Sequence, residues 1–155
     1  MKKFHLVALL GLFAAFCGFV FTSCGDDEKD DPSNPIVGTW SITESESDQQ
    51  MSRTFTTSIT FTNDGKYTYL EEGQHKSPDF EENFGSRETG TYKFEAGNKL
   101  TLTATGYAYK SQENNQWIEE ENRQGEPWTQ VVAIENNVLY ISLWEGGEQR
   151  ALKKQ

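Results

Sequence analysis

Histidine and clustered basic residues are scarce in this chain of 155 residues, and each scarcity excludes a class of function. The two histidines are His5 and His75, so no site built from several histidines is expected, whether for zinc or for nucleophilic catalysis. Beyond Lys2-Lys3, basic residues stand singly except for Lys153-Lys154, and the formal net charge is −10. This acidic excess disfavours nucleic acid and anionic lipid headgroups as partners, since both require clusters of Lys or Arg.

Catalytic signatures are also missing. The chain has no Gly-x-Ser-x-Gly elbow, phosphate-binding loop or EF-hand pattern. Two carboxylates are enough for glycoside hydrolysis, but Glu71-Glu72, Glu81-Glu82 and residues 119–121 are expected at strand ends or in loops, where acids are solvated. His75 is expected in a polar loop, as a solvated side chain. The sequence therefore predicts a protein that is not an enzyme and uses no metal or cofactor.

The only long apolar run covers residues 4–21 and is interrupted only by His5. It follows Lys2-Lys3 and ends at Thr22-Ser23-Cys24, so residues 1–23 have the three parts of a secretory signal peptide. An uncleaved transmembrane anchor is the alternative, because the run is near the lower limit of about 17–25 residues that span a bilayer. Gly25 and the charges after it continue a helix poorly. Both interpretations place the rest of the chain outside the cytoplasm.

The four residues Phe21-Thr22-Ser23-Cys24 resemble the lipobox of bacterial lipoproteins, although Phe21 replaces the usual Leu, Val or Ile. The resemblance implies that Cys24 is lipidated and becomes the first residue of the mature chain. The formal charge then changes from −10 to about −12, because both lysines of the signal are lost and no acid is. Cys17 is lost with the signal, so no disulfide is expected within one mature chain.

Residues 24–35 form the predicted lipidated cysteine and an acidic tether. The segment after Cys24 is rich in Asp, Glu and Pro and has almost nothing to bury, so it is expected to be an extended, flexible spacer. An acidic cluster at this position resembles the export signal that sends lipoproteins of Bacteroidetes to the cell surface. The expected location is therefore the outer membrane with the domain at the cell surface, and the periplasmic face is the alternative.

Residues 36–155 are predicted to be one all-β domain. Ile36, Gly38, Trp40 and Ile42 share one parity, which is the alternation of a strand. Tight turns are expected at Asp64-Gly65, at Ala96-Gly97-Asn98 and at Asn136-Asn137, with a last strand over residues 149–153. Only residues 79–84 are suited to a short turn of helix. About eight strands joined by hairpins suggest an up-and-down antiparallel β-barrel or a sandwich, and the barrel is favoured because closure removes exposed edges.

A family resemblance supports the barrel. Gly38-Thr39-Trp40 resembles the Gly-x-Trp signature of lipocalin-like barrels. In order and spacing, the later motifs are similar to the lipocalin-like lipoprotein domains of Bacteroidetes; they are Ile59-Thr60-Phe61, Asn63-Asp64-Gly65-Lys66-Tyr67, Gly90-Thr91-Tyr92, Asn98-Lys99-Leu100-Thr101-Leu102 and Leu139-Tyr140-Ile141. The resemblance implies that Gly38 and Trp40 close one end of the barrel, with Arg150 from the last strand as the partner of Trp40.

Binding suits this composition better than catalysis, because a small antiparallel barrel can enclose one ligand. Trp117 lies in a polar segment, residues 112–125, where its ring has no evident core to join. It is expected either to line the mouth of the barrel or to fold back onto Trp128. The residues predicted to bind a ligand are Tyr67, Tyr69, Tyr107, Tyr109, Trp117 and Trp128.

Three functions remain open at this point. The first is a monomeric carrier or sensor that binds a small apolar molecule inside the barrel. The second is recognition of a glycan or a protein through loops 72–88 and 110–127. The third is a structural or inhibitory protein of the envelope with no small ligand.

Overall fold

The computed structural model describes residues 34–48, 50–120 and 124–155, so residues 1–23, Cys24 and most of the tether lie outside it. The described residues form β-strands and no helix. The strands are β1 (Gly38–Ser47), β2 (Ser52–Phe61), β3 (Lys66–Lys76), β4 (Glu81–Glu95), β5 (Lys99–Lys110), β6 (Trp117–Glu120), β7 (Trp128–Val131), β8 (Ala133–Glu135), β9 (Val138–Ser142) and β10 (Gln149–Lys154).

All ten strands belong to one antiparallel sheet. Its order is β6-β5-β4-β3-β2-β1-β10-β9-β8, and β7 pairs with β5 beside β6. Strands β1 to β5 are neighbours in space in the order in which they occur in the chain, as sequential hairpins require. The prediction of an all-β, antiparallel domain is therefore confirmed, whereas the number of strands is ten instead of about eight.

The described strands do not close into a barrel, so this part of the prediction is not confirmed. Instead, residues 128–135 connect the two ends of the sheet, because β7 pairs with β5 and β8 pairs with β9. Between them, the N–H of Val132 donates to the carbonyl oxygen of Asn98 at 3.0 Å. The side-chain amide of Gln130 makes two hydrogen bonds to the backbone of Ser142, at 2.9 and 3.0 Å. Residues 128–135 thus pair first with β5 and then with β9, whereas in a closed barrel one continuous strand would pair with both neighbours along its length.

The three predicted turns are confirmed. Gly65 has φ +78° between β2 and β3, and Gly97 and Asn98 have φ +78° and +56° between β4 and β5. Asn136 and Asn137, between β8 and β9, have φ +53° and +62°. Glycine and asparagine tolerate these left-handed conformations better than other residues, which is why these short sequences identify the turns.

One of the two expected loops is largely strand, and the other contains a short strand. The region 72–88 is a long hairpin, since β3 continues to Lys76 and β4 begins at Glu81. The short helix expected over residues 79–84 is therefore wrong, and His75 belongs to β3. The region 110–127 contains β6. The sequence did not predict these strands because their composition is polar. One face of the β3–β4 hairpin carries charged side chains where a buried strand would carry apolar ones.

The core lies on the inner face of the sheet, which we define as the face that carries Trp40, Ile59, Tyr67 and Leu102. Alternate residues of the strands meet there, as the period of two predicts. The fully buried side chains include Phe61, Leu100, Leu139, Ile141 and Leu152. The opposite face is polar, and threonines of neighbouring strands hydrogen-bond across it, for example Thr43 with Thr56 at 2.8 Å.

Trp40 is the largest side chain of this core and is 1% exposed. Its indole Nε1–H donates to the carbonyl oxygen of Ile36 at 2.7 Å, so its one polar group is satisfied. Gly38 has φ +122°, a conformation that favours glycine at the first position of the Gly-x-Trp motif. The predicted partner is corrected: Lys154 Nζ lies 5.6 Å from the Trp40 ring, whereas Arg150 forms an ion pair with Glu44.

Candidate ligand-binding cavity

A cavity of about 210 Å³ opens on the inner face at one edge of the core. The buried side chains of Ile59 and Ile141 border it on the core side. Its rim includes Gly125 and Glu126 before β7, and residues 143–145 after β9. Most of its lining side chains are aromatic or aliphatic, among them Tyr67, Tyr69, Leu102, Trp128, Leu143 and Trp144.

The two tyrosines reach the cavity because they occupy inward positions of β3. Tyr69 is the pairing partner of Ile59 in β2 and of Glu88 in β4. Tyr67 pairs with Gly90, and a Cβ atom at that glycine would lie only 2.6 Å from Tyr67 Cε1. The absence of a side chain at Gly90 therefore leaves the space that the Tyr67 ring occupies.

The hydroxyl groups of both tyrosines donate to carboxylates. Tyr67 donates to Glu88 at 2.7 Å, and Tyr69 donates to Glu71 at 3.2 Å. Burial, followed by the bond to Glu88, raises the pKa of Tyr67 well above its usual value of about 10. Burial and the nearby Glu71 charge raise the pKa of Tyr69 in the same direction. Both hydroxyls therefore remain neutral hydrogen-bond donors beside the cavity.

The formal charges that line the cavity all have one sign. Glu88 lies on its wall, and the exposed side chains of Glu126 and Glu145 lie at its rim. No lysine or arginine is among the described residues that line it. Arg150 is close enough to affect the pKa of Tyr69 but lines a different pocket, with Glu44 and Gln149.

The raised pKa values predict that the domain loses stability in alkaline solution. The unfolded chain releases the tyrosine protons above pH about 10, whereas the folded state holds them to higher pH. The stabilisation is thus fully present below pH about 10 and is lost as the pH rises beyond it. We expect the urea midpoint to fall between pH about 9 and about 11, and to fall less steeply in Tyr69→Phe. If the urea midpoint falls equally steeply with pH in the wild type and in Tyr69→Phe, the loss of stability does not come from the buried tyrosine.

The structure brings only some of the predicted ligand-binding residues together. Tyr67, Tyr69 and Trp128 line the cavity. Tyr107 lines a separate pocket with Arg87 and Glu119, and Tyr109 is exposed where β5 pairs with β6.

Trp117 lies apart from the cavity and from Trp128. Its ring is 5.1 Å from the Arg87 guanidinium carbon and 5.4 Å from Lys110 Nζ. A Cβ atom at Gly85 would lie 3.2 Å from the edge of this ring. Trp117 thus covers part of the β4–β5 hairpin and lies within cation–π distance of two basic side chains, which explains how an apolar ring is accommodated in a polar segment.

Sequence reasoning missed Trp144 and Glu88. Trp144 is 52% exposed, and it enters a turn with Gly146 at φ +74°. Gly147 lies against its ring, since a Cβ atom there would be 2.6 Å from Cε2 of the indole. The only signal in the sequence is the run Trp144-Glu145-Gly146-Gly147, in which a large ring precedes a tight turn.

Other types of site are not found in the part of the chain that the structure covers. It contains no group of three or more His, Cys, Asp or Glu side chains arranged to hold a metal ion. Nor does it contain a helix that is long and apolar enough to cross a membrane. The His75 ring packs 4.8 Å from the Phe84 ring.

Comparisons with known proteins add no relative. No protein-family model, curated protein or solved structure matches the chain.

Proposed function

We propose that this chain is a lipid-anchored protein outside the cytoplasm whose β domain binds a small, mainly apolar molecule. The cavity beside Tyr67, Tyr69 and Trp128 is the observation that carries this proposal. Pockets for small molecules are concave, largely apolar and equipped with few polar groups. This one combines an apolar wall with the hydroxyls of two tyrosines and the carboxylate of Glu88.

The size of the cavity limits the ligand. A volume of about 210 Å³ equals the space of about seven water molecules at about 30 Å³ each. Pockets that enclose drug-sized ligands are larger, at about 300–1,000 Å³. We therefore propose a ligand with one ring or a short chain inside the cavity, and any further part of it projects past Trp144 at the rim.

We also propose that the domain is an open variant of the lipocalin-like barrel. Support comes from the sequential hairpins β1 to β5 and from Trp40, which is buried near the start of the first strand with Lys154 of the last strand over its ring. Residues 128–135 support it further, since they pair with both ends of the sheet. The lipid on Cys24 and the acidic tether would hold this domain at the cell surface.

Filling the cavity tests the proposal. Ala104 lies on the cavity wall, and leucine at this position places three more carbon atoms in a small space. We expect Ala104→Leu to weaken the binding of benzyl alcohol at least about tenfold, which is a loss of about 1.4 kcal/mol. The measurement is isothermal titration calorimetry on the purified full-length protein, with thermal melting to verify the fold.

Ala96→Leu is the matched control, because Ala96 is exposed in the turn between β4 and β5. It should bind benzyl alcohol as the wild type does. If both variants bind alike, the ligand does not occupy this cavity. If no apolar probe, neutral or charged, binds the wild type, the proposal is wrong.

A further inference from the structure

We propose that the ligand of this cavity is an organic cation, with an apolar body against the aromatic wall and an ammonium group near Glu88. The inference deepens the proposed function and rests on it, because it specifies the charge of the molecule that the same cavity binds. Its basis is the combination of aromatic rings and carboxylates around one apolar space.

The aromatic rings of the cavity favour a cation. Four aromatic side chains line the cavity, and they are Tyr67, Tyr69, Trp128 and Trp144. The faces of such rings attract cations, most strongly those of tryptophan, and aromatic cages are a common way to bind quaternary ammonium groups. An apolar anion gains burial from the same rings but is repelled by their electron-rich faces.

The carboxylates around the cavity also favour a cation. Glu88 is the charged residue of the wall, and its only hydrogen-bond partner among the described residues is the hydroxyl of Tyr67. Glu126 and Glu145 add negative charge at the rim. A cation that enters therefore passes two carboxylates at the rim and meets a third on the wall, whereas a fatty acid or another carboxylate meets charges of its own sign.

The nearest basic groups are each paired with a carboxylate other than Glu88. Arg150 is paired with Glu44, and Arg53 lies 3.5 Å from Glu71. Both guanidinium groups lie over the ring of Phe55, at 5.9 Å and 4.4 Å from its centroid. Each cation thus has its own carboxylate and neither lines the cavity. Arg150 also lies 5.7 Å from the centroid of the Trp144 ring, so the ammonium group is expected nearer to Tyr67, Tyr69 and Trp128, on the wall that carries Glu88.

Three small probes of similar size separate the charge classes. They are benzyltrimethylammonium chloride, benzyl alcohol and sodium phenylacetate, and each contains one ring. In calorimetric titrations of the purified full-length protein, we expect the ammonium compound to bind about three- to tenfold more tightly than benzyl alcohol. Phenylacetate should bind most weakly. Added salt should weaken only the ammonium compound, because its attraction to the carboxylates is screened.

Charge removal on the wall tests the role of Glu88. Glu88→Gln keeps an oxygen that can accept the Tyr67 hydroxyl, and it should weaken benzyltrimethylammonium about three- to tenfold and benzyl alcohol by a smaller factor. Glu126→Gln at the exposed rim should have a smaller effect in the same direction, and it provides a second test if Glu88→Gln does not fold. Glu95→Gln is the control for net charge, because Glu95 is exposed and does not line the cavity.

The outcomes distinguish this inference from the proposed function. If phenylacetate binds as tightly as the ammonium compound, or if Glu88→Gln and Glu126→Gln behave like Glu95→Gln, the cation preference is wrong and the cavity remains a binding site. If none of the three probes binds, the proposed function fails and the inference fails with it.

Discussion

Replacing Cys24 with serine is expected to abolish all incorporation of fatty acid into the protein. The sequence offers one acceptor, since Cys24 follows the apolar run at the position where a lipobox places the modified cysteine. Several acyl chains are needed for stable attachment, because each buried methylene contributes only about 0.8 kcal/mol. Metabolic labelling with a radioactive fatty acid and the intact mass of the purified protein measure the result. The wild-type chain should begin at Cys24 and carry lipid.

Cys17→Ser is the matched control for this experiment. Cys17 lies inside the apolar run and should be removed with residues 1–23, so its replacement should change neither labelling nor mass. An unlabelled wild-type protein of full length in the membrane fraction would contradict the lipid anchor. It would support the uncleaved transmembrane segment.

Replacing Trp40 with alanine is expected to lower the free energy of unfolding by about 3–5 kcal/mol. The side chain is 1% exposed in the centre of the core, and its removal leaves a cavity that its neighbours cannot fill. The carbonyl of Ile36 also loses the 2.7 Å hydrogen bond from the indole. Domains of this size are stable by only about 5–15 kcal/mol, so this loss is a large fraction of the total stability.

Urea denaturation followed by circular dichroism measures this loss. Trp117→Ala is the comparison, because it removes the same side chain from a partly exposed position outside the core. We expect it to cost about 1 kcal/mol, mostly through the lost contacts with Arg87 and Lys110. If Trp117→Ala costs as much as Trp40→Ala, Trp40 does not have the central role in the core that we assign to it.

The sequence predicted those parts of the fold that depend on residues adjacent in the chain. Asp64-Gly65 and Asn136-Asn137 define their turns through local backbone preference. The long β3–β4 hairpin was missed because its inner face carries Glu71 and His75, and His75 pairs with Arg53 of the neighbouring strand β2. Contacts along and across the strands stabilise these positions: the Arg53 guanidinium carbon lies 4.4 Å from the Phe55 centroid and 4.7 Å from the Phe84 centroid, and Arg53 Nη2 lies 3.5 Å from Glu71. No local pattern reveals that arrangement.

The cavity was only partly predictable for the same reason. Tyr67, Tyr69 and Trp128 were expected from their type and alternation, but Glu88 and Trp144 approach them from β4 and from the turn after β9. Their meeting depends on strand register, which is a property of the whole sheet. Register also decides the partner of Trp40: β1 and β10 pair Trp40 with Lys154, so the arginine four residues earlier lies beside Glu44.

The most direct test of the binding cavity uses the four tryptophans as reporters. Trp128 and Trp144 line the cavity, whereas Trp40 lies in the core and Trp117 lies over the β4–β5 hairpin. In nitrogen-15 NMR spectra, each indole N–H gives one signal, which Trp→Phe variants assign. On titration with benzyltrimethylammonium, we predict saturable shifts of the Trp128 and Trp144 signals while those of Trp40 and Trp117 stay in place. A shift of Trp117 alone, or no shift with either this compound or benzyl alcohol, would contradict a ligand site in this cavity.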